Sequence, residues 1–429
     1  MGSDKLSSFS RSVSFKQRAT NLGSPRFSRK SWVSRNFTVL IVFGSAVSFL
    51  LAISGGYLYV LPSLTKAFHE VSIPTTSNGG ECDIYDDGDW VLDNTYPLYN
   101  ASDCPFVEQG FNCLGNGRTD KDYLKLRWKP KGCDIPRFDV ESTLEMLRNK
   151  RVVFVGDSMG RTQWESLICL LMTGVRDKAS VFEVNGNQIT KQIRFLGVRF
   201  GSFNFSVEFY RSVYLVQHNW SPKRAPKRVR STLRLHKLDD ISAEWRNADM
   251  LIFNSGQWWV PEKLFGTGCY FQVGHTLKLG MSIPLAFRTA LQTWAKWVDT
   301  TINPNRTRVF FRTYEPSHWR NLTLRECEVP NQPLLETRGQ DNSSFSDAIF
   351  SVVKTMTIPV TIMHITPMSA FRSDAHVGTW GDKPSLSDCS HWCLPGVPDV
   401  WNEILLSYLH STHSSTIWER TTSNSTIAR

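Results

Sequence analysis

The chain has 429 residues, 41% of them hydrophobic, which is ample for a core in one large domain or two smaller ones. Its net charge of +10 misleads if read whole, because eight Lys or Arg and a single Asp fall within the first 36 residues. The basic excess belongs mostly to a tail, so nucleic-acid binding by the folded part is not supported.

In chain order, residues 1–36 read as a disordered, Ser- and Arg-rich basic tail. Residues 37–61 carry no charge, and 25 residues are enough to span a bilayer with some tilt. The stretch is too long and too far from the terminus for an ordinary signal peptide. Arg26, Arg29, Lys30 and Arg35 precede it, so the positive-inside rule places the tail in the cytosol and the rest in a lumen. Residues 62–80 read as a polar stem, and residues 81–139 as a turn-rich, cysteine-bearing cap. From 140 to about 410 the pattern is α/β. Strands are expected at Val152–Val155, 250–254, 308–312 and 360–365, and helices at 159–172, 285–300 and 397–409. Phe287, Leu291, Trp294 and Val298 recur at helical spacing, as a core stripe does. Residues 411–429 form a polar tail.

All nine cysteines follow the uncharged segment, as a secretory compartment favours. Their spacings match no zinc site, so no metal is expected. An odd count leaves at least one free thiol, and the spacing does not fix the pairing. Glycosylation sequons at Asn100, Asn204, Asn305, Asn321 and Asn342 agree with a lumenal address.

Two segments carry the chemistry. RVVFVGDSMGRTQWESLICLL, from Arg151, reads as a buried strand, a sharp turn with Ser158, and a helix. A serine there sits at the carboxyl edge of a sheet, with the free N–H groups and dipole of a helix aimed at it, an arrangement that suits a developing oxyanion. Gly-Asp-Ser by itself also fits an ordinary strand-ending turn. DCSHWCLPGVPDVWNEILL, from Asp388, places Asp388 and His391 three positions apart on a loop bracketed by Cys389 and Cys393. Ser, Asp and His in that order are the parts of an acyl-transfer site: serine as nucleophile, histidine as its base, aspartate orienting the ring. Asp374 and His376 form a rival acid–base pair, with shaping of the pocket alongside Arg372 as their other reading.

These two segments resemble those of the plant trichome birefringence-like family, a branch of the PC-esterase and GDSL/SGNH-like group. So do residues 82–139, 198–212 and 251–259. The resemblance runs from 82 to about 409. It implies an SGNH-like α/β/α sandwich and a Golgi address; with the disulfide-rich N-terminal cap and the single transmembrane helix read from the residues above, a type II Golgi membrane protein is expected. It further implies polysaccharide O-acetyltransferase activity with Ser158, His391 and Asp388 as the triad. It also implies the pairs Cys82–Cys133, Cys104–Cys169, Cys113–Cys393 and Cys327–Cys389, with Cys269 free. One departure is Gln257, where the family often has His.

Around the triad, Gly156, Asp157, Arg161 and Asn254 are candidates for holding an oxyanion or a sugar hydroxyl. A surface salt bridge for Arg161 and a turn cap for Asn254 are the competing readings. Trp258, Trp259 and Trp392 are candidate glycan contacts. No bound cofactor is expected. The acetyl donor is acetyl-CoA or a relay metabolite, with donor-supplying membrane proteins as potential partners, and the acceptor is pectin, xylan or mannan. The basic run Lys223–Arg230 tilts the choice toward pectin. A polysaccharide acetylesterase and a non-catalytic wall-polymer bridging protein are the competing functions.

Overall fold

A computed structural model describes residues 84–85, 87–321 and 323–409. The expected basic tail, membrane span and stem (residues 1–80), Cys82, and the tail 411–429 lie outside the described residues.

Arg151–Gly156 is the centre of a seven-stranded sheet. Parallel neighbours flank it on both sides: Phe205–Arg211, with Gly156 opposite Arg211, and Met250–Phe253, with Val155 opposite Phe253. Arg308–Arg312 and Val360–Met363 extend the parallel part beyond Met250–Phe253. Phe195–Phe200 and Val181–Glu183 complete the other edge as antiparallel strands. The chain therefore steps to one side of the first core strand and then back across it to the other. In open α/β sheets the carboxyl-end crevice at such a reversal is where ligands bind, and here it lies beyond Gly156 and Phe253.

The alternation of a strand sends Val152 and Phe154 to one face and Val153 and Val155 to the other. All four are essentially inaccessible. On the first face lie the helix Ser158–Met172 and a helix over 397–409. On the second lie Ile283–Thr301 and Ser344–Val353, with the Phe287, Leu291, Trp294 and Val298 stripe fully buried. The sheet thus has helices on both faces. A second, four-stranded sheet, formed by Val216–Trp220, Ser231–Leu238, Cys269–Val273 and Thr276–Lys278, adds to the second core; the sequence pattern did not predict it.

The cysteine-rich region packs directly onto the first core, where Tyr85, Phe106, Phe111, Tyr123 and Trp128 join one apolar cluster with the serine helix. Every residue of that helix after Ser158 is buried. Cys104–Cys169, Cys113–Cys393 and Cys327–Cys389 are bonded and Cys269 is a buried free thiol. Cys133 is disulfide-bonded too. Tyr96 and Tyr99 donate to Glu403 and Asp399 on the last helix, and burial lifts both carboxyls to about 7.

Candidate active site

Asp157 breaks the central strand and caps the helix behind it. Its Oδ1 accepts from the Met159 amide at 3.0 Å and from Asn254 Nδ2 at 2.6 Å. Asn254, just past Met250–Phe253, lies in the angle between strand and helix. A Cβ on Gly156 or Gly160 would collide with its amide oxygen, so glycine at both positions is what admits it. Asp157 and Asn254 therefore brace the turn that presents Ser158, with one Asn254 N–H committed to Asp157. Ser158 itself is the first residue of the helix, and its amide has no acceptor among the described residues.

Asp388 and His391 lie on a strand, Asp388–Trp392, where the sequence suggested a loop ahead of a helix. It pairs antiparallel with His376–Gly378, with an irregular register. Residues three apart on a regular strand face opposite ways. Here Asp388 Oδ1 accepts from the amides of Ser390 and His391, at 2.8 and 3.0 Å, which curls the strand and brings both side chains together. The result is a continuous chain: Ser158 Oγ lies 2.7 Å from His391 Nε2, and His391 Nδ1 lies 2.6 Å from Asp388 Oδ2. About a quarter of the His391 side chain and a third of Asp388 remain accessible, so the dyad can be reached from solvent.

Burial alone would lower the basicity of His391, but the Asp388 charge and hydrogen bond outweigh it and hold its pKa above the ordinary 6.5. Asp388 is itself penalised by burial, yet His391 and the two amides keep it well below the usual carboxylate range.

A layer the sequence did not reveal backs the histidine. The Phe111 ring stacks on His391 at 5.5 Å, and Arg161 sits over the Phe111 ring at 4.9 Å. Arg161 is buried and ion-paired with both Glu108 and Glu165, so its guanidinium is spent behind the site and is not free for an oxyanion or a sugar. Burial raises Glu165 to about 8 against the pull of Arg161. The i,i+4 spacing of Arg161 and Glu165 was visible in the sequence; Phe111 and Glu108 left no signal beyond the neighbouring Cys113.

The rival pair is placed elsewhere. Asp374 is tied to Arg372. His376 Nδ1 donates to the His391 carbonyl at 3.0 Å, and its other nitrogen meets His318 at 2.6 Å. His376 thus supports the His391 strand from behind, while Asp374 serves Arg372. Two tryptophans expected to meet glycan do not. Trp392 is fully buried and stacked on His376 at 4.0 Å, and Trp259 is buried with its indole donating to Ser255. Trp258 is half-exposed. Gly156 and Asp157 are buried in the turn and offer no substrate surface. Gln257 donates to the Glu315 carbonyl at 2.7 Å. Of the sequons, Asn100, Asn204, Asn305 and Asn342 are exposed and Asn321 is half-buried.

Residues 135–408 match the model of the PC-esterases, described as a GDSL/SGNH-like acyl-esterase family found in Pmr5 and Cas1p. Residues 80–134 match the PMR5 N-terminal domain. The chain is 63% identical to trichome birefringence-like 7 of Arabidopsis thaliana, over 90% of this chain and 88% of that one. The chain belongs to this family. Trichome birefringence-like 6 and 9 of the same plant are 42% and 40% identical, over 78% and 84% of this chain and 71% and 91% of theirs. Membership in an acyl-esterase family is consistent with transfer or hydrolysis of acyl groups on polysaccharide, and the two halves of the family pattern meet at the turn and strand described above.

The electrostatics give a first test. If neutral His391 is the base, kcat/KM should rise with pH through a midpoint above 6.5. In Asp388→Asn the burial penalty stays and the carboxylate's pull is gone, so the midpoint should move down while the plateau drops by roughly 10²–10⁴. An unchanged midpoint in that variant would show that Asp388 does not set the titration.

Proposed function

We propose that the protein is a polysaccharide O-acetyltransferase that works through an acetyl-Ser158 intermediate. The observation that carries this is the unbroken Ser158–His391–Asp388 chain of hydrogen bonds at an open sheet edge. His391 Nε2 takes the Ser158 proton as Oγ attacks the acetyl carbonyl. The Ser158 amide and the second N–H of Asn254 receive the oxyanion, aided by the helix dipole. Collapse expels the donor's leaving group, which takes the proton from His391. A polysaccharide hydroxyl then gives its proton to His391 and attacks the acetyl-serine, and Ser158 recovers its proton as the ester moves to the acceptor.

The acceptor is a plant cell-wall polymer: pectin, xylan or mannan. The donor is acetyl-CoA or a relay metabolite, which membrane partners would supply. The uncharged run 37–61 behind its basic flank supports a type II Golgi anchor with this site in the lumen. Hydrolysis is the same chemistry with water as acceptor.

The test is to incubate the protein with acetyl donor alone and look for a 42-dalton increment (about one acetyl group) on the Ser158 peptide by mass spectrometry. Addition of unacetylated polysaccharide should discharge it into polymer-bound acetate. Discharge only into free acetate would make the protein an esterase, and glycan binding with no acetyl-serine would make it a binding module.

A further inference from the structure

Arginines whose side chains are drawn into this fold mostly have a carboxylate. Arg151 holds Glu208, Arg161 holds Glu108 and Glu165, Arg312 holds Glu315, and Arg372 holds Asp374. Arg211 has none among the described residues, although its side chain is half-buried. Burial pushes its pKa below the ordinary arginine value. The Asp157 charge offsets this only in part and makes no ion pair with Arg211; a partly desolvated guanidinium without a bonded carboxylate is costly, and such groups are ordinarily paired.

Its place is informative. Arg211 ends the strand Phe205–Arg211 directly opposite Gly156, two residues before Ser158, and the next amide, Ser212, donates to the Gly156 carbonyl at 2.8 Å. The strands are parallel, so Arg211 and the nucleophile leave the sheet at the same edge. Its guanidinium lies 5.1 Å from the centre of the Trp258 indole, and the Lys263 ammonium lies 4.8 Å from the same ring. Lys263 is exposed and also has no carboxylate partner among the described residues.

The indole is held firmly. Gln257 is tied to Glu315, the Trp259 amide donates to the Gly256 carbonyl at 2.9 Å, and Tyr214 meets the Trp258 ring edge-on. A cation–π contact positions a cation without consuming its N–H donors. Two cations thus meet one aromatic plate, Arg211 at the sheet edge that also carries Ser158, and neither side chain has a hydrogen-bonded partner among the described residues.

We infer that Arg211, Lys263 and Trp258 form an acceptor subsite for the carboxylate of a uronate residue in an acidic glycan. This deepens the acyl-transfer reading of Ser158 and rests on it for the meaning of the bound glycan. A planar carboxylate matches the guanidinium fork. Trp258 then acts by holding the two cations, and the selectivity for an acidic polymer lies at the site rather than in the exposed run Lys223–Arg230.

The experiment is calorimetric binding to the full chain carrying Ser158→Ala, which prevents turnover. The probes are an oligogalacturonide, a neutral xylo-oligosaccharide of equal length, and coenzyme A. The oligogalacturonide should bind at least about tenfold more tightly than the neutral sugar, and the difference should shrink as salt is raised. Adding Arg211→Gln should weaken the acidic probe by about tenfold or more and leave the neutral one unchanged. Lys263→Gln, an exposed change that does not threaten folding, should weaken it in the same direction.

Equal affinity for acidic and neutral probes would overturn the inference, as would full oligogalacturonide binding by both variants. So would loss of coenzyme A binding alone in the variants, which would make the cluster a donor-phosphate site. None of these readouts requires acetyl transfer, so failure here is distinct from failure to find acetyl-Ser158 on the unsubstituted chain.

Discussion

Ser158→Ala should reduce acetyl transfer by roughly 10⁴–10⁶ and leave the fold intact. The expected loss is large because the hydroxyl is the atom that becomes the ester, and no neighbouring group offers a replacement. Asp157 commits its Oδ1 to Met159 and Asn254 and keeps its Oδ2 buried away from solvent, and the Arg161–Glu165 pair lies behind Phe111. The structural cost should be small. The hydrogen bond of Ser158 Oγ is to His391, and alanine is at least as good a helix former as serine in the first turn. Transfer activity, far-ultraviolet circular dichroism and the melting temperature of the variant decide the matter. Residual activity within tenfold of the unsubstituted protein would remove Ser158 from the mechanism. Loss of activity together with loss of the helix signal would show that the position is structural.

The parts of this site that were legible in the sequence are those fixed by local pattern. Val152–Val155 announced a buried strand because it is a continuous β-branched and aromatic run, and the Phe287–Val298 stripe announced a helix by its period. The four-stranded sheet was hidden because its strands mix charged and apolar positions. Ser231–Leu238 carries Arg234, His236 and Lys237, with half-exposed positions among the buried ones, and so reads as neither a core strand nor a clean alternation.

The errors around the triad have a common cause: sequence proximity does not give direction. Trp392 follows His391 and so looked like a glycan contact. On a strand, successive side chains alternate faces, and Trp392 points into the core against His376. Arg161 is one helical turn from Ser158, but what occupies its guanidinium is Glu108, 53 residues earlier, as well as Glu165. Phe111 meets His391 only because the fold returns the cysteine-rich region to the far end of the chain. Contacts at such separations leave no periodic trace.

That long-range return is also what the disulfides hold, and cutting them should cost activity before it costs the fold. Cys389 and Cys393 lie on either side of His391. Cys389 is bonded to Cys327, 62 residues away, and Cys393 to Cys113, 280 residues away. Cys113 is two residues beyond Phe111, whose ring stacks on His391, so the second bridge fastens the ring support and the base to each other. Each bridge closes a long loop and contributes roughly 2–5 kcal/mol, whereas the sheet and helices rest on two large apolar clusters that no single bridge creates. Among the described residues the Asp388–Trp392 strand pairs with only the three-residue strand His376–Gly378, with an irregular register, and is otherwise tied by the His318 amide to the Cys389 carbonyl and by the Trp319 indole to Ser390, so the covalent ties should carry much of its positioning. Displacing a catalytic base by about an ångström costs on the order of 10² in rate. Following transfer activity and far-ultraviolet circular dichroism together in increasing reductant should therefore show activity falling by about that factor while the helix signal is still native. The double variant Cys327→Ala/Cys389→Ala should show the same separation without any reductant. Activity that persists until the helix signal collapses, in both experiments, would mean that Phe111, His376 and the buried Trp392 hold the Asp388–His391 strand by packing, and that the bridges stabilise the fold without positioning the base.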